Sequence, residues 1–324
     1  MTLARPPKRH DDAVGPQRAD HADIPELNRV FSDAFTERYR KDGMTGVRVP
    51  QLNPVIWRYA MDDADGGALV WRNESGDMIA FNIAHASGAE GWMGPLAVHP
   101  EWQGIGLGKA VVRAGIDWLS DRSTKVIGLE TMPRTMDNIG FYSALGFVPA
   151  RLTITLTLDA ARAEAPVALL SKLPASTRDD LITACHAVTT RRIPGYDFSR
   201  EIRLTNELGL GDTVLLERGG RVHGFAIFHS IPLVEGRPRE ELRVLKLVAE
   251  REEDLDELAR LLSIAARRTG TKRLAIRAQG EYANAYRRLV RLGARVRWTD
   301  LRMAEANHPE PVAPDGVVFS NWEI

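Results

Sequence analysis

The sequence predicts a mixed α/β chain of the α+β kind, built from two tandem copies of one unit. Three observations predict it. The order helix, strand, strand, strand, helix, strand, helix, strand can be read twice along the chain. An offset of 147 residues places Lys125-Val126-Ile127-Gly128-Leu129 on Lys272-Arg273-Leu274-Ala275-Ile276, and Leu145-Gly146 on Leu292-Gly293, without a gap. A length of 324 residues is ordinary for two domains, each long enough to bury its own core.

The elements follow in order. Residues 1–20 are rich in Pro, Arg and Asp with almost no apolar periodicity, and read as a mobile tail. The first unit spans 21–158. Ile24, Leu27, Val30, Phe31, Ala34 and Phe35 recur at helical spacing behind Asp23-Ile24-Pro25, which supplies an acid and an early proline. Two apolar runs, 68–71 and 78–84, flank Asn73 to Gly76 and predict a hairpin. Gly91 to Val98 is a third strand, followed by a glycine-rich turn. Leu107, Val111, Ala114 and Trp118 mark one face of a helix, 126–130 is a short apolar strand, and 137–145 is a helix stopped by Gly146. Alternating Thr with Leu and Ile makes 152–158 a two-faced strand.

A linker at 159–166 leads into the second unit, 167–306, and a C-terminal tail occupies 307–324. In the second unit 177–188 reads as a helix, 214–216 and 222–228 as a hairpin around Gly219-Gly220, and 242–248 as a strand. A helix at 255–268, a strand at 274–276 and a helix at 283–292 follow.

Composition narrows the function classes. Lys plus Arg and Asp plus Glu both number 43, so no surplus of positive charge supports a nucleic-acid binder. The single cysteine, Cys185, excludes an intramolecular disulfide framework and a thiolate-rich zinc site, and no metal is expected. No window approaches the roughly 20 apolar residues of a membrane span, and the N-terminus has no apolar signal core. A soluble cytoplasmic protein, with no membrane partner, is the expectation.

The most informative stretch is Val98-His99-Pro100-Glu101-Trp102-Gln103-Gly104-Ile105-Gly106-Leu107-Gly108-Lys109, where three alternate glycines lie between a strand and an amphipathic helix. Glycine lets the backbone turn tightly and aim several N–H groups at one anion, and the helix adds its positive dipole end. The stretch therefore predicts a phosphate or pyrophosphate site, with Lys109 as a further cation or a solvated surface lysine. A Walker A loop needs GxxxxGK followed by Ser or Thr, but Gly108-Lys109 is followed by Ala110. A dinucleotide fingerprint needs GxGxxG, which Gly104, Gly106 and Gly108 do not form. The acyl-CoA loop pattern, Arg or Gln, two residues, Gly, one residue, Gly or Ala, fits Gln103 to Gly108 in frame.

At this point the chain resembles the GNAT superfamily of acetyltransferases. Leu96-Ala97-Val98-His99-Pro100 resembles that family's fourth strand running into the loop. Asn138-Ile139-Gly140-Phe141-Tyr142-Ser143-Ala144-Leu145-Gly146-Phe147 resembles its asparagine, aromatic-tyrosine and Gly-Phe signature. The second copy resembles the same fold only in its element order. The resemblance implies two tandem domains, each a mostly antiparallel sheet flanked by helices and splayed in a V between its fourth and fifth strands.

It also implies transfer of acetyl from acetyl-CoA to an amine by direct attack. Carried over, Leu96, Ala97 and Val98 would face the pantetheine and thioester. Gln103, Gly104, Ile105, Gly106, Leu107, Gly108 and Lys109 would hold the pyrophosphate. Asn138 would bind the CoA arm, and Tyr142 would protonate the departing thiolate, as a phenol with an ordinary pKa near 10 can. Many members place a glutamate on the fourth strand as base; here that strand has none at its middle. Glu130 is the expected base, ahead of Glu90, His85 and His99. Residues 35–59, with Arg38, Tyr39, Arg40, Arg48 and Trp57, would help select the acceptor.

In the second copy the loop position reads Val248-Ala249-Glu250-Arg251-Glu252-Glu253-Asp254, acidic and without glycine, which would repel a pyrophosphate. The 147-residue offset puts Tyr142 on Leu289, Asn138 on Ala285 and Glu130 on Arg277. The expected function is thus a small-molecule N-acetyltransferase with an active first domain and a structural second one. A homodimer is compatible with it. The alternatives are an acyl-CoA sensor without turnover, and a tandem enzyme of the mycothiol synthase type, which would need a competent second copy.

Overall fold

A computed structural model describes residues 12–162 and 165–322. The first half runs β1 (Val14–Arg18), α1 (Ile24–Lys41), α2 (Pro54–Ala64), β2 (Ala68–Arg72), β3 (Met78–Ser87), β4 (Glu90–Val98), α3 (Leu107–Asp121), β5 (Val126–Thr131), α4 (Met136–Ser143) and β6 (Phe147–Asp159). The second half runs β7 (Ala168–Leu169), α5 (Ala175–Arg192), α6 (Ser199–Glu207), β8 (Gly211–Arg218), β9 (Arg221–His229) and β10 (Glu241–Ala249). It continues with α7 (Asp254–Arg268), β11 (Arg273–Gln279), α8 (Ala283–Arg291), β12 (Arg295–Glu305) and β13 (Val317–Ser320).

Among the described residues thirteen strands join in one sheet, in the order β1-β2-β3-β4-β5-β12-β6-β11-β10-β9-β8-β7, with β13 on β10. Every pairing is antiparallel except β4 with β5 and β10 with β11. The middle of that order shows strand exchange. β12 from the second half lies beside β5 of the first, and β6 from the first lies beside β11 of the second. The exchange obeys the sequence repeat. Moving one partner of the Thr131–Leu301 pair up by 147 residues and the other down by 147 yields Ala278–Ile154, which is also a pair. A pseudo-two-fold axis therefore passes between β6 and β12, as in an isologous dimer fused into one chain.

Two segments expected as tails are parts of the sheet. Val14–Arg18 pair with β2 as an exposed edge strand. Within the C-terminal segment Val317–Ser320 are wholly buried against β10. Residues 1–11, 163–164 and 323–324 of the expected tails and linker lie outside the described residues.

Local chemistry sets what frames the opening. Asn53 caps α2 by accepting from the Val55 amide, and Pro54 occupies its first turn. α2 then places Trp57 edge-on between Phe31 and Phe81, with its indole Nε1 donating to Asn28 Oδ1 at 2.7 Å. On the other face α3 buries Val111, Val112 and Leu119. It approaches the sheet at Gly115, where a Cβ would come within 2.4 Å of Met93 Sδ. Any larger residue there would lift the helix and the loop that starts it.

Between the halves lies a buried polar layer. Lys246 is fully buried, 3.8 Å from Glu90 and 4.0 Å from Glu201, with its ammonium 3.4 Å from the Trp322 ring centre. Trp322 in turn stacks on Trp92 at 5.4 Å. Burial pushes the Glu201 carboxyl up to about 8 and holds the Lys246 ammonium below its ordinary value.

Candidate active site

The parallel ladder of β4 and β5 starts at Glu90–Val126 and ends at Met93–Leu129. A bulge at Gly94 and Pro95 then bends β4. Beyond it Leu96, Ala97 and Val98 pair with β3 alone, so their edge toward β5 is open. This is the splay that the resemblance implied, and it exposes main-chain donors and acceptors to whatever lies in the V.

The open edge leads into the glycine loop. Gly104 and Gly106 sit at φ 81° and 93°, conformations that cost an L-residue strain. A Cβ on either would project into open space, so both keep a hollow free in front of the chain. The amides of Gly104, Ile105 and Gly106 have no backbone acceptor among the described residues, and Gly106 caps α3 without a side-chain hydrogen bond. Uncommitted N–H groups at a helix N-terminus suit a phosphate.

Gln103 is anchored rather than free: its amide donates to the Val98 carbonyl at 3.0 Å and accepts from Lys41 Nζ at 3.0 Å. Lys41, at the end of α1, is thereby a cation beside the loop that the sequence did not flag, because 62 residues separate the two. Lys109 is exposed on the first turn of α3.

α4 lies against this loop at Gly108, where a Cβ would stand 3.4 Å from Phe141 Cζ, an ordinary contact distance. The same helix carries Tyr142, buried with Phe147, Met93 and Leu129 around it. Burial pushes its phenol up to about 12. Asn138 is half-buried and donates to Thr131 Oγ1 at 3.3 Å, tying α4 to the end of β5. Through Phe141 beside Gly108 and Asn138 on Thr131, α4 thus links the loop to the end of β5.

The expected bases are committed elsewhere. Glu130 accepts from Thr153 Oγ1, from Arg277 at 2.5 Å and from Arg302 at 2.8 Å. Burial alone would raise its pKa, but the two guanidiniums and these bonds bring it down to about 2. A carboxylate held there is a weak proton acceptor at neutral pH. Glu130 and Arg277 are equivalents under the 147-residue repeat, so the pair faces itself across the pseudo-axis.

His85 sits with Nδ1 2.9 Å from Asp63 Oδ2 and Nε2 3.1 Å from the Gly94 carbonyl. Both ring nitrogens face oxygen partners, so the ring is engaged on both sides. Glu90 accepts from Ser320 and is fully buried. His99 accepts from the Glu101 amide and caps the turn before the loop, as a structural residue does.

The second half repeats the splay but fills it. Its parallel ladder ends at Val244–Ile276, the equivalent of Met93–Leu129. Beyond that point β13 pairs with Lys246 to Ala249, which correspond to Pro95 to Val98. Phe319 of β13 packs on Tyr282, whose hydroxyl accepts from the Ala313 amide. The acidic stretch is likewise occupied: Glu250 bonds Arg191, Arg221 and His223, and Asp254 bonds Arg218. Among the described residues no His, Cys, Asp and Glu group could hold a metal, and no helix is long and apolar enough to cross a membrane.

Comparison with known proteins agrees with this geometry. The acetyltransferase (GNAT) family matches residues 26–147. A Pyrococcus horikoshii protein, itself only provisionally assigned as an acetyltransferase, superposes over 99% of this chain and 99% of its own, with TM-score 0.66 and 14% identity. A GCN5-related N-acetyltransferase from Sphaerobacter thermophilus covers 94% of this chain and 99% of its own, with TM-score 0.56 and 15% identity. A tandem GNAT protein from the clavulanic acid biosynthesis pathway covers 92% and 99%, with TM-score 0.55 and 13% identity. No curated protein sequence matches the chain. Residues 26–147 thus match the acetyltransferase (GNAT) family, and the whole chain shares the fold of these structures, a tandem GNAT protein among them.

Proposed function

We propose that the first half transfers acetyl from acetyl-CoA to the amine of a small molecule, and that the second half is structural. One observation carries this reading: the edge of β4 is open beside a glycine cradle, whereas the matching edge of β10 is closed by β13. In this reading the first domain is 21–158 with β1 as an added edge strand, and the second is 167–306 with β13 as its plug. The same closed edge counts against a mycothiol-synthase-like division of labour. A cytoplasmic location belongs to the proposal too.

The main chain of Leu96, Ala97 and Val98 would pair with the pantetheine, the amides from Gln103 to Lys109 would hold the pyrophosphate, and Asn138 would bind the arm between them. The amine lone pair attacks the thioester carbon, and the C–S bond breaks as the tetrahedral intermediate collapses. Tyr142 gives its proton to the departing sulfur and recovers one from solvent. With Glu130 locked in ion pairs, the amine enters neutral and sheds its second proton to water.

The test is thiol release across a panel of amines, with CoA binding followed separately. Tyr142→Phe should lower kcat by about 10²–10⁴ and leave CoA affinity unchanged. CoA binding without turnover on any amine, in wild type and variant alike, would replace the transferase with an acyl-CoA sensor.

A further inference from the structure

The exchanged strand brings the second half to the end of β5, where Asn138 bonds Thr131. β12 pairs with β5 from Leu301 to Ala304, so its earlier residues run on past the end of β5 at Thr131. There Met132, Pro133 and Arg134 of the first half and Val296 to Thr299 of the second line a cavity of about 340 Å³. Its floor is apolar: Trp298 is 42% exposed and Val296 51%, both unusually open for their types. Its walls are cationic. Arg134 lies 5.6 Å from the Trp298 ring centre, donates to Met44 Sδ and acts electrostatically on Tyr39, and neither it nor Arg297 has an ion pair among the described residues.

Neighbouring arginines behave differently. Arg277 holds Glu130 and Asp300, and Arg302 holds Glu130 and Glu310. Asp300, the nearest acid on the strand, is already taken by Arg277 and by the Trp298 indole at 3.0 Å. Two guanidiniums without carboxylates, set around an open indole, are matched to an anion on an apolar or aromatic body.

The geometry points to this cavity as the acceptor subsite, taking an amine that also carries a carboxylate and an apolar side group, with the specificity supplied by β12 of the second half. The inference rests on the acetyl-transfer reading and adds the acceptor's class to it. The second half then does more than brace the first, because its strand meets the molecule to be acetylated.

Matched pairs that differ only in the anion test it, starting with phenylalanine against phenylalaninamide, in wild type, Arg297→Gln, Arg134→Gln and Trp298→Ala. Losing one charge-assisted bond should raise KM for the carboxylate member about 10–100-fold and leave the amide member within about twofold. KM for acetyl-CoA should not move. Trp298→Ala should weaken both members alike, whereas equal losses for both members in the arginine variants, or a rise in KM for acetyl-CoA, would overturn the assignment and make these arginines ligands of CoA phosphates.

Titration of the CoA-loaded protein with N-acetylphenylalanine and its amide gives a reading without turnover. Preference for the carboxylate form, lost in Arg297→Gln, supports the subsite even if the transferase reading fails. No preference refutes the subsite even if amines are acetylated.

Discussion

Replacing Glu130 by glutamine separates a catalytic carboxylate from a structural one. Its carboxyl is lowered from an ordinary 4.5 to about 2, which corresponds to roughly 3 kcal/mol of native-state preference for the charged form. A second route gives a similar figure. Breaking a buried ion pair costs about 3–5 kcal/mol, and the low end applies because Arg277 keeps Asp300 and Arg302 keeps Glu310. Spread over the unfolding entropy of 324 residues, about 3 kcal/mol lowers Tm by roughly 4–5 °C.

The pH dependence has a definite sign. A depressed carboxyl contributes fully above its unfolded pKa and loses that contribution as pH falls toward 2. The gap between wild type and Glu130→Gln should therefore be widest near neutrality and close in acid. Thermal and urea unfolding at pH 7 and pH 3, beside steady-state kinetics, measure both. An unchanged Tm with kcat reduced about a hundredfold would refute the reasoning and restore Glu130 as the base.

Gly106→Glu combines strain at φ 93° with a carboxylate in the anion cradle, and should weaken CoA binding more than about tenfold by calorimetry. Binding within twofold of wild type would remove the cradle from the site. The plot of kcat/KM against pH should rise to the acceptor amine's own pKa and move when the acceptor is changed. It should not fall in the alkaline range below about pH 10, because the Tyr142 phenol is pushed up to about 12. A rising limb fixed across acceptors would reveal an enzymic base. Phe319→Ala, in the buried plug strand, should cost about 3–5 kcal/mol while CoA stoichiometry stays at one per chain. Two bound CoA molecules in that variant would mean that the plug alone silences the second half.

Much of the first half was legible because its signals are local. Apolar periodicity located α1, α3 and α4, and three glycines in six residues marked the loop that the open β4 edge serves. The repeat was legible too, down to the offset that the β5–β12 and β6–β11 registers obey. What escaped is non-local. The guanidinium partners of Glu130 are 147 and 172 residues away, so its carboxylate looked available when it is the centre of an ion-pair cluster. Lys41 meets Gln103 only once α1 is folded over the loop. β13 is four residues long in a segment with Pro, Asp and Gly, and only the vacant edge of β10 makes it a strand. α2 and α6, the latter short with few apolar residues, were not separated from their loops.

The exchange of β6 and β12 also bears on how the chain can be divided. Cutting at residues 159–166 would remove from each fragment no strand of its own sequence, yet each would lack the neighbour that completes its sheet. The two pieces would find that neighbour only in one another. The connector therefore acts as a tether that raises the local concentration of mates rather than as a boundary between independent folds, and separately produced halves should reassemble as an obligate heterodimer.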